Sequence, residues 1–382
     1  MKDKLNLKVN ETLSKKYPPG THPDLPPPVR TSGVLAWLRN NLFSTPVNSV
    51  LTLTALWLLW KIIPPVFDWG VIDAVFIGKS RAECWDQMPF PAAGACWSLI
   101  KSRISLFTYG FYPEHLRWRV DICFIMLTLA VIPVLYEKLP KRKYGLIYSA
   151  IFPFVAGWLL LGGFGLETVP TDKFGGIMLT LILGVTGISF SLPIGIALAL
   201  GRQSNMPILK ILCVIFIEFI RGVPLITLLF VASTMLNYFL PPGTVYDLLW
   251  RVIIMVILFA SAYMAEVIRG GLQAISKGQH EAGDSLGLNY WQSQRLIVLP
   301  QALKISIPGI VNTFIGLYKD TTLVLIIGMF DLLGLGNATL ADAKWAGLAN
   351  EVYIFVAFFF FITCFGMSRY SIYLEKKLHT GH

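Results

Sequence analysis

Two ionisable side chains stand next to each other inside a strongly apolar segment of this sequence. Lys319 and Asp320 in "YKDTTL" lie about fifteen residues into the run 305–329, and two hydroxyl side chains, Thr321 and Thr322, follow them. A charge at the centre of a membrane-spanning helix costs about 2.5–3.5 kcal/mol on insertion scales, so such a residue is a functional-site candidate. We predict that Asp320 faces a translocation path and meets an ammonium group there. Mutual neutralisation with Lys319 is the alternative.

Two further charged pairs lie near the ends of apolar segments. Glu218 and Arg221 in "IEFIRGVPL" are three residues apart, and Glu266 and Arg269 in "AEVIRGG" repeat that spacing. Residues three apart share one face of a helix, so each pair can form an ion pair. We interpret both as structural pairs. Small residues also recur on one helix face in the run 177–200 and again in the run 305–329, where the stripe is Gly309, Thr313, Gly316 and Asp320. We predict that these stripes serve close packing between helices, and the alternative is that a stripe faces a translocation path.

The sequence lacks the motifs of covalent and metal-assisted catalysis. Its five histidines are scattered without an HExxH motif, and no Ser–His–Asp set can be assembled. There is no GxxxxGK[ST] motif either, so the chain has no nucleotide-binding P-loop. We expect a protein that is not an enzyme, with no metal and no cofactor bound by this chain. A disulfide between Cys84 and Cys96 is possible in an oxidising compartment, and two free thiols are the alternative.

Membrane-spanning helices must position these groups. The chain is 55% hydrophobic and only 14% charged, with a mean hydropathy of +0.62, whereas soluble domains are about 25% charged. A spanning helix needs about 20 predominantly apolar residues. Eight runs approach this length: 47–64, 120–136, 144–163, 177–200, 211–239, 250–268, 305–329 and 352–374. The expected fold is therefore an all-α polytopic membrane protein with about eight transmembrane helices.

The distribution of basic residues predicts the orientation of these helices. With eight spans and a cytoplasmic N-terminus, the cytoplasmic segments carry 20 Lys or Arg and the opposite segments carry 7, as the positive-inside rule requires. The net charge of +10 is thus a topology signal rather than a sign of nucleic-acid binding. A Pro-rich tail, 1–46, and a short tail, 375–382, are predicted to be cytoplasmic. The aromatic loop 65–118 is predicted outside, either on the membrane surface or as a docking surface for an external partner.

A mostly polar stretch, "EAGDSLGLNYWQSQRLIVLP", separates two apolar runs between Glu281 and Pro300. Its first half predicts a short helix ending at Gly287, because glycine is the usual residue in the left-handed conformation that stops a helix. Its second half predicts a helix with Asn289 as N-cap, which Pro300 stops or bends before the next span. We interpret this helix–turn–helix as a cytoplasmic docking element, with Leu286, Leu288, Ile297 and Leu299 meeting protein.

The spacing of this stretch resembles the signature of ABC importer permeases, which is E-A-A, three residues, G, nine residues and I-x-L-P. The matching residues are Glu281, Ala282, Gly283, Gly287, Ile297, Leu299 and Pro300. Gly283 departs from the second alanine and is expected to loosen the first short helix. The flanks "EFIRGVPL", "AEVIRGGLQAISKGQ" and "LYKDTTLVLIIG" are similar to the polar amino acid permease family over about 172–374. "GACWSLIKSRISLFTYGFYPEHLRWR" is similar to the larger permeases of general L-amino acid importers.

The resemblance implies a particular organisation. A five-span permease core over 172–374, with a coupling element at 270–304, would follow a three-span extension over 47–171. Such a chain is a multi-pass protein of the bacterial inner membrane, and it pairs with a second homologous permease to give a heterodimeric assembly. Two copies of an ABC ATPase, which use ATP and Mg, would bind the coupling elements. A periplasmic binding protein would deliver an L-amino acid to be moved into the cytoplasm.

Two other classes of protein compete with this interpretation. An ion-gradient-driven secondary amino acid transporter would share the midmembrane charges and the span count, but it predicts inverted repeats with broken helices in both halves. A polytopic membrane enzyme predicts His, Asp or Glu clustered at one membrane face. Neither alternative accounts for the spacing between Glu281 and Pro300.

Overall fold

The computed structural model describes residues 33–136, 138–239, 241 and 246–378. This part of the chain is helical and contains only isolated β-bridges, without a strand. Seven of its helices are long and apolar enough to cross a membrane, or eight when a bent pair is counted as one span. The predicted fold class is therefore confirmed. Most of the predicted N-terminal tail and the last four residues, 379–382, lie outside the described residues.

The chain divides into two compact units, residues 1–72 and 73–382. In the first unit, α1 (Val34–Asn41) precedes α2 (Pro46–Phe67). Thr45 caps α2 by accepting a hydrogen bond from the Asn48 N–H at 3.1 Å. The predicted end of this span at residue 64 is wrong, because the helix runs through two prolines and into a π-helical turn that ends at Ile72.

The second unit contains the remaining helices. They are α3 (Arg81–Asp86), α4 (Ser98–Tyr109), α5 (Arg117–Leu135), α6 (Arg142–Leu161), α7 (Gly176–Gln203), α8 (Pro207–Gly222), α9 (Leu225–Phe230), α10 (Leu248–Gln273), α11 (Lys277–Ser285), α12 (Tyr290–Ser293), α13 (Leu299–Asp320), α14 (Leu332–Leu340) and α15 (Ala349–Leu378). Helices α5 and α6 pack as a hairpin, and α10 packs against α7, α8 and α13. Helix α10 is accordingly the most buried span of the bundle.

Small residues along α7 let neighbouring helices approach closely. A Cβ added at Gly184 would lie 2.7 Å from the ring of Tyr318, and one at Gly195 would lie 2.7 Å from the side chain of Met264. These contacts join α7 to α13 and to α10. The predicted role of the stripe in close packing is therefore confirmed, and it follows from the weak hydrophobic drive for helix association in lipid.

The run predicted as one span over 211–239 is broken. Helix α8 ends at Gly222, and the segment Leu225–Met235 leaves it at an angle of 101°. Pro224 lies at the break, where its ring cannot continue the α-helical hydrogen bonding of the preceding turn. The prediction allowed a kink at Pro224, and the structure shows a sharp corner.

Residues 73–116, which we call the disulfide lobe, form a small folded region rather than an extended loop. Cys84 and Cys96 are joined by a disulfide with a Cα–Cα distance of 5.9 Å, and both are fully buried. The Cys96 N–H donates to the buried Glu351 carboxylate at 3.0 Å. An ion pair links Arg103 to Asp342. The lobe thus shares a core with α14 and the start of α15, including Leu99, Phe107, Leu335 and Val352.

Candidate functional site

The polar stretch between two spans folds as a pair of short helices. Helix α11 ends at Ser285, and Gly287 follows with a φ of +71°, in the left-handed region that favours glycine. Asn289 then caps α12 through a capping box, in which its side chain accepts from Gln292 N–H and the Gln292 side chain accepts from Asn289 N–H, both at 2.9 Å. The turn and the N-cap therefore lie where the sequence predicts them.

Gly283 is the point at which the two short helices touch. Its backbone is buried, and a Cβ at this position would lie 2.7 Å from the Ser293 hydroxyl oxygen and 3.5 Å from Ile297. The missing methyl group therefore lets α11 and α12 pack closely, and the expectation that Gly283 loosens the first helix stays a prediction. We name residues 277–299 the coupling hairpin.

The second short helix continues into the next span. A π-helical turn over Gln294–Val298 joins α12 to α13, and Pro300 occupies the first turn of α13. Proline is tolerated there because the first N–H groups of a helix have no partner within it. Of the two predicted effects of Pro300, to stop or to bend the second helix, the first is wrong, since 290–327 forms one long candidate span.

The coupling hairpin presents an apolar surface that the bundle does not cover. Leu286, Trp291 and Leu296 are 74%, 69% and 64% exposed, and Tyr290 is half exposed. Two residues predicted to meet a partner, Ile297 and Leu299, instead pack against the cluster around Val298 and Ala302. Glu281 and Ala282, the first two residues of the signature, are exposed. Exposed apolar patches of this kind mark interaction sites in soluble regions.

The two predicted charge pairs belong to one network that spans three helices. Glu218 on α8 lies 2.7 Å from Arg202 at the end of α7, and 3.9 Å from Arg221. Glu266 on α10 lies 3.4 Å from Arg202 and 3.8 Å from Arg221, and it also pairs with Arg269. The sequence predicted the two pairs, but it missed Arg202, which lies far from them along the chain. Helix α10 leads directly from this network into the coupling hairpin.

The residues predicted to line a path lie at the end of α13. Asp320 is its last residue and is half-buried, whereas Lys319 is exposed. Among the described residues, no ion pair joins these two side chains. Thr321 is buried and donates to the Tyr318 carbonyl, and Thr322 donates to the Lys319 carbonyl. The structure therefore places Asp320 and Lys319 at an accessible position and gives both hydroxyls backbone partners.

One face of α13 carries exposed polar groups within the candidate span 290–327. Asn312 and Lys319 are both exposed, and Gly316 between them has open space where a Cβ would point. By contrast, Gly309 is packed against Val267. The predicted small-residue face of α13 is thus divided into a packed part and an open part. Exposing an amide and an ammonium group to lipid is unfavourable, so protein or water must cover this face.

Metal binding has no visible basis in the described part of the chain, where no group of three or more His, Cys, Asp or Glu side chains is placed to hold an ion. The charged groups instead form the network around Glu266. The geometry thus offers a hairpin with an exposed apolar patch, the charge network around Glu266 beside it, and the half-buried Asp320 carboxylate at the end of α13.

Comparison with known proteins identifies the family. Residues 191–380 match the family described as binding-protein-dependent transport system inner membrane component. An inner membrane amino-acid ABC transporter permease of Escherichia coli, YhdY, is 49% identical over 94% of this chain and 97% of its own length. The chain belongs to this family of permeases. BztC of Rhodobacter capsulatus, a glutamate/glutamine/aspartate/asparagine transport system permease, is 46% identical over 94% of this chain and 96% of its own.

Other relatives match about half of this chain. GlnM of Bacillus subtilis, a probable glutamine ABC transporter permease, is 35% identical over 53% of this chain but 91% of its own length. A crystal structure of an amino acid ABC transporter with histidines is 29% identical, with a TM-score of 0.47, and covers 53% of this chain and 92% of that one. YhdY and BztC, by contrast, each match 94% of this chain.

Family membership settles the class of function. The protein is the permease component of an amino-acid ABC importer, a multi-pass membrane protein that works with an ATPase and a binding protein. It is a transporter subunit rather than an enzyme, and the ATPase is a separate subunit. The alternative of an ion-gradient-driven secondary transporter is wrong.

Proposed function

We propose that the coupling hairpin is the surface on which the ATPase of this importer docks. The observation that carries the proposal is the exposed apolar patch formed by Leu286, Tyr290, Trp291 and Leu296. These side chains project from a hairpin that the Gly283 contact and the Asn289 capping box hold in one conformation. A large apolar anchor on a rigid element is the usual centre of a protein interface. The ATP and Mg are used by the ATPase, and the permease binds neither.

A second, homologous permease completes the membrane assembly in this proposal, and each permease carries one ATPase copy. The exposed face of α13 supports it, because Asn312, Gly316 and Lys319 lie within a span and need a covering of protein or water. A path lined jointly by the α13 helices of two permeases satisfies that need. Asp320, at the end of this face, then meets the ammonium group of the amino acid.

The orientation follows from the bias of basic residues. Both termini and the coupling hairpin lie in the cytoplasm, and the disulfide lobe lies outside, where the binding protein delivers its ligand. Reporter fusions at residues 90, 140 and 290 are expected to read outside, inside and inside. An outside reading at residue 290 would contradict ATPase docking on the hairpin.

The substrate class is proposed from the site and from a relative. The name of BztC gives glutamate, glutamine, aspartate and asparagine as its substrates, and we propose that this importer carries small polar L-amino acids of the same kind. All of them share the α-ammonium group that Asp320 can meet, so the side-chain selectivity depends on other contacts. Uptake of radiolabelled amino acids by cells that express the complete importer tests this range.

One experiment tests the docking surface directly. Co-purification of the affinity-tagged permease in mild detergent is expected to retain the ATPase, and the double change Leu286→Glu and Trp291→Glu is expected to lose it. Tyr144→Glu is the matched control, because Tyr144 is 71% exposed and lies at the start of α6, away from the hairpin. Retention of the ATPase by the double variant would show that the patch is not its docking surface.

A further inference from the structure

A deep groove lies between the α5–α6 hairpin and the core helices α7 and α10. Its volume is about 540 Å³. Val120 and Leu127 line it from α5, Phe152 and Gly157 from α6, and Ile182 and Val185 from α7. The groove is separate from the coupling hairpin and from the exposed face of α13, which contribute no residue to it.

The chemistry of the lining excludes a polar occupant. Away from the mouth, the polar side chains in the wall are Thr186 and Cys123. The Thr186 hydroxyl already donates to the Ile182 carbonyl at 2.6 Å, and the Cys123 thiol points to the Ala156 carbonyl at 3.9 Å. Water and a zwitterionic amino acid both need several polar partners, which this wall does not offer. The occupant must be apolar.

The dimensions of the groove match one leaflet of a bilayer. On α10 the lining runs from Leu249 to Ile257, which at 1.5 Å per residue is about 12 Å along the helix axis. Half of a hydrocarbon core of roughly 30 Å is about 15 Å. Trp158 and Trp250 line one end and are each about half exposed. Tryptophan is enriched where the hydrocarbon meets the headgroups, so this end is the mouth.

We propose that the groove holds an acyl chain of a membrane phospholipid. Its rim is continuous with side chains that face the bilayer, since Phe154 and Ile254 line the groove and are 65% and 55% exposed. The chain enters beside Trp158 and Trp250 and lies along Ile182 and Val185 on the floor. A second permease does not occupy the groove. The polar face that needs protein or water to cover it lies on α13, which contributes no residue to the groove.

The bound chain fills the space between the extension hairpin and the core. Helices α5 and α6 pack tightly on each other, but α6 touches α7 over only a short stretch. An empty groove would leave its walls without van der Waals partners on one side, which destabilises a packed structure. The lipid thus acts as a structural component that holds the α5–α6 hairpin against α7 and α10.

A photoreactive lipid tests this assignment. The full-length permease is reconstituted into vesicles of phosphatidylethanolamine that carries a diazirine in one acyl chain, irradiated and mapped by mass spectrometry. We expect labelling at Ile182 and Val185, which form the floor of the groove and are partly buried. Labelling confined to outward-facing side chains such as Phe154 and Ile254 would show that lipid stays outside and would overturn the proposal.

A graded series of variants separates groove occupancy from misfolding. A side chain at Gly157 would enter open space in the groove, so Gly157→Ala, Gly157→Leu and Gly157→Phe fill it progressively. Floor labelling is expected to fall step by step and to drop by about an order of magnitude for phenylalanine. Gly366→Phe is the control, because Gly366 also faces open space but does not line the groove. Equal labelling across the Gly157 series, or loss of a bound protein subunit in place of the lipid label, would contradict the proposal.

Discussion

Arg202 and Glu266 are 64 residues apart in the sequence, and their side chains lie 3.4 Å apart in the structure. The contact joins the end of α7 to α10, the helix that leads into the coupling hairpin. Glu218 on α8 meets the same guanidinium at 2.7 Å. Helix α10 therefore connects the coupling hairpin along the chain to a charge network that includes α7 and α8.

The first prediction concerns this charge network. Glu266→Gln is expected to lower the thermal stability of the permease and to reduce amino acid uptake severalfold, because it leaves three arginines with Glu218 as the remaining acid of the network. ATP hydrolysis should then continue with weaker stimulation by the binding protein. Uptake and ATPase activity are measured on the same reconstituted complex.

Two control variants make the test of the charge network specific. Lys210→Gln removes an exposed charge at the start of α8 and should change neither activity. Glu266→Asp, which keeps the carboxylate, should restore part of the coupling. Equal losses for Glu266→Gln and Lys210→Gln would indicate a general effect of net charge rather than the network.

The second prediction concerns the turn of the coupling hairpin. Gly287 has a positive φ but open space around its Cβ position, so a side chain there meets backbone strain without a steric clash. A non-glycine residue in the left-handed region costs about 1–2 kcal/mol, and β-branched residues are worse. Gly287→Val should therefore abolish uptake, and Gly287→Ala should weaken it. The permease should remain inserted in the membrane, as an immunoblot of membrane fractions will show.

Gly278 supplies the matched control for Gly287. It lies in the same hairpin with open space at its Cβ position, but its φ is not positive. Gly278→Val should leave ATP-dependent uptake near the wild-type rate. Normal uptake by Gly287→Val would mean that the turn is not part of the coupling surface.

The third prediction concerns Asp320. If its carboxylate meets the substrate's ammonium group, Asp320→Asn should raise the KM for uptake and lower the maximal rate, while the complex still assembles. Asp172→Asn, at an exposed position before α7, should have no effect. A variant complex that falls apart in mild detergent would identify Asp320 as a structural residue, and unaltered uptake would remove it from the path.

The fourth prediction is a pH dependence. Asp331 is fully buried at the start of α14, where its carboxylate accepts from the Gly334 N–H at 2.8 Å. Burial raises its pKa from the ordinary 3.8 to about 6, and the backbone hydrogen bonds only partly oppose this effect. The folded protein therefore binds this proton more tightly than the unfolded chain. The contribution of Asp331 to stability is greatest below pH 4 and declines as the pH rises toward 6.

Asp331→Asn should remove that decline, because an amide oxygen can still cap α14 without a buried charge. At neutral pH we expect the variant to gain stability on the order of 3 kcal/mol. Thermal unfolding in detergent at pH 4, 5, 6 and 7 measures the difference between the variant and the wild type. A constant difference over this range would contradict the assigned pKa.

The fifth prediction concerns the disulfide. Because Cys84 and Cys96 are fully buried, a hydrophilic reductant should leave their bond intact in the native protein and cleave it only after denaturation. Alkylation followed by peptide mapping measures both states. Recovery of both residues as alkylated thiols from the oxidised, denatured protein without any reductant would show that the bond does not form.

The sequence predicts the spans well where apolar length alone decides them. It places α7 and α15 to within a few residues, because their apolar runs are long and continuous, and α7 runs through Pro193 without a break. It predicts the Gly287 turn and the Asn289 cap as well, since both depend on local backbone geometry. These features need no information about distant residues.

Tertiary packing decides what the sequence could not predict. Glu266 pairs with Arg202 on α7. The spacing of three residues that predicted the local pairs gives no sign of this distant partner. The role of Gly283 depends on Ser293, which approaches only once the hairpin has closed. The side chain of Ile297 packs against the cluster around Val298 and Ala302 for the same reason, because the closed hairpin brings it against the bundle. In each instance a long-range contact overrides a local expectation.

The hydrogen bond between Cys96 and Glu351 joins residues 255 positions apart, and it has a consequence for biogenesis. A ribosome that has just made residues 73–116 has not yet made most of the surface on which they pack. The nascent lobe must therefore wait, with Leu99 and Phe107 uncovered, until the segment around Leu335 and Val352 has been inserted. We therefore expect this region to mature late in synthesis, and a chain truncated before the last span to be more open to chaperones and proteases than the full-length protein.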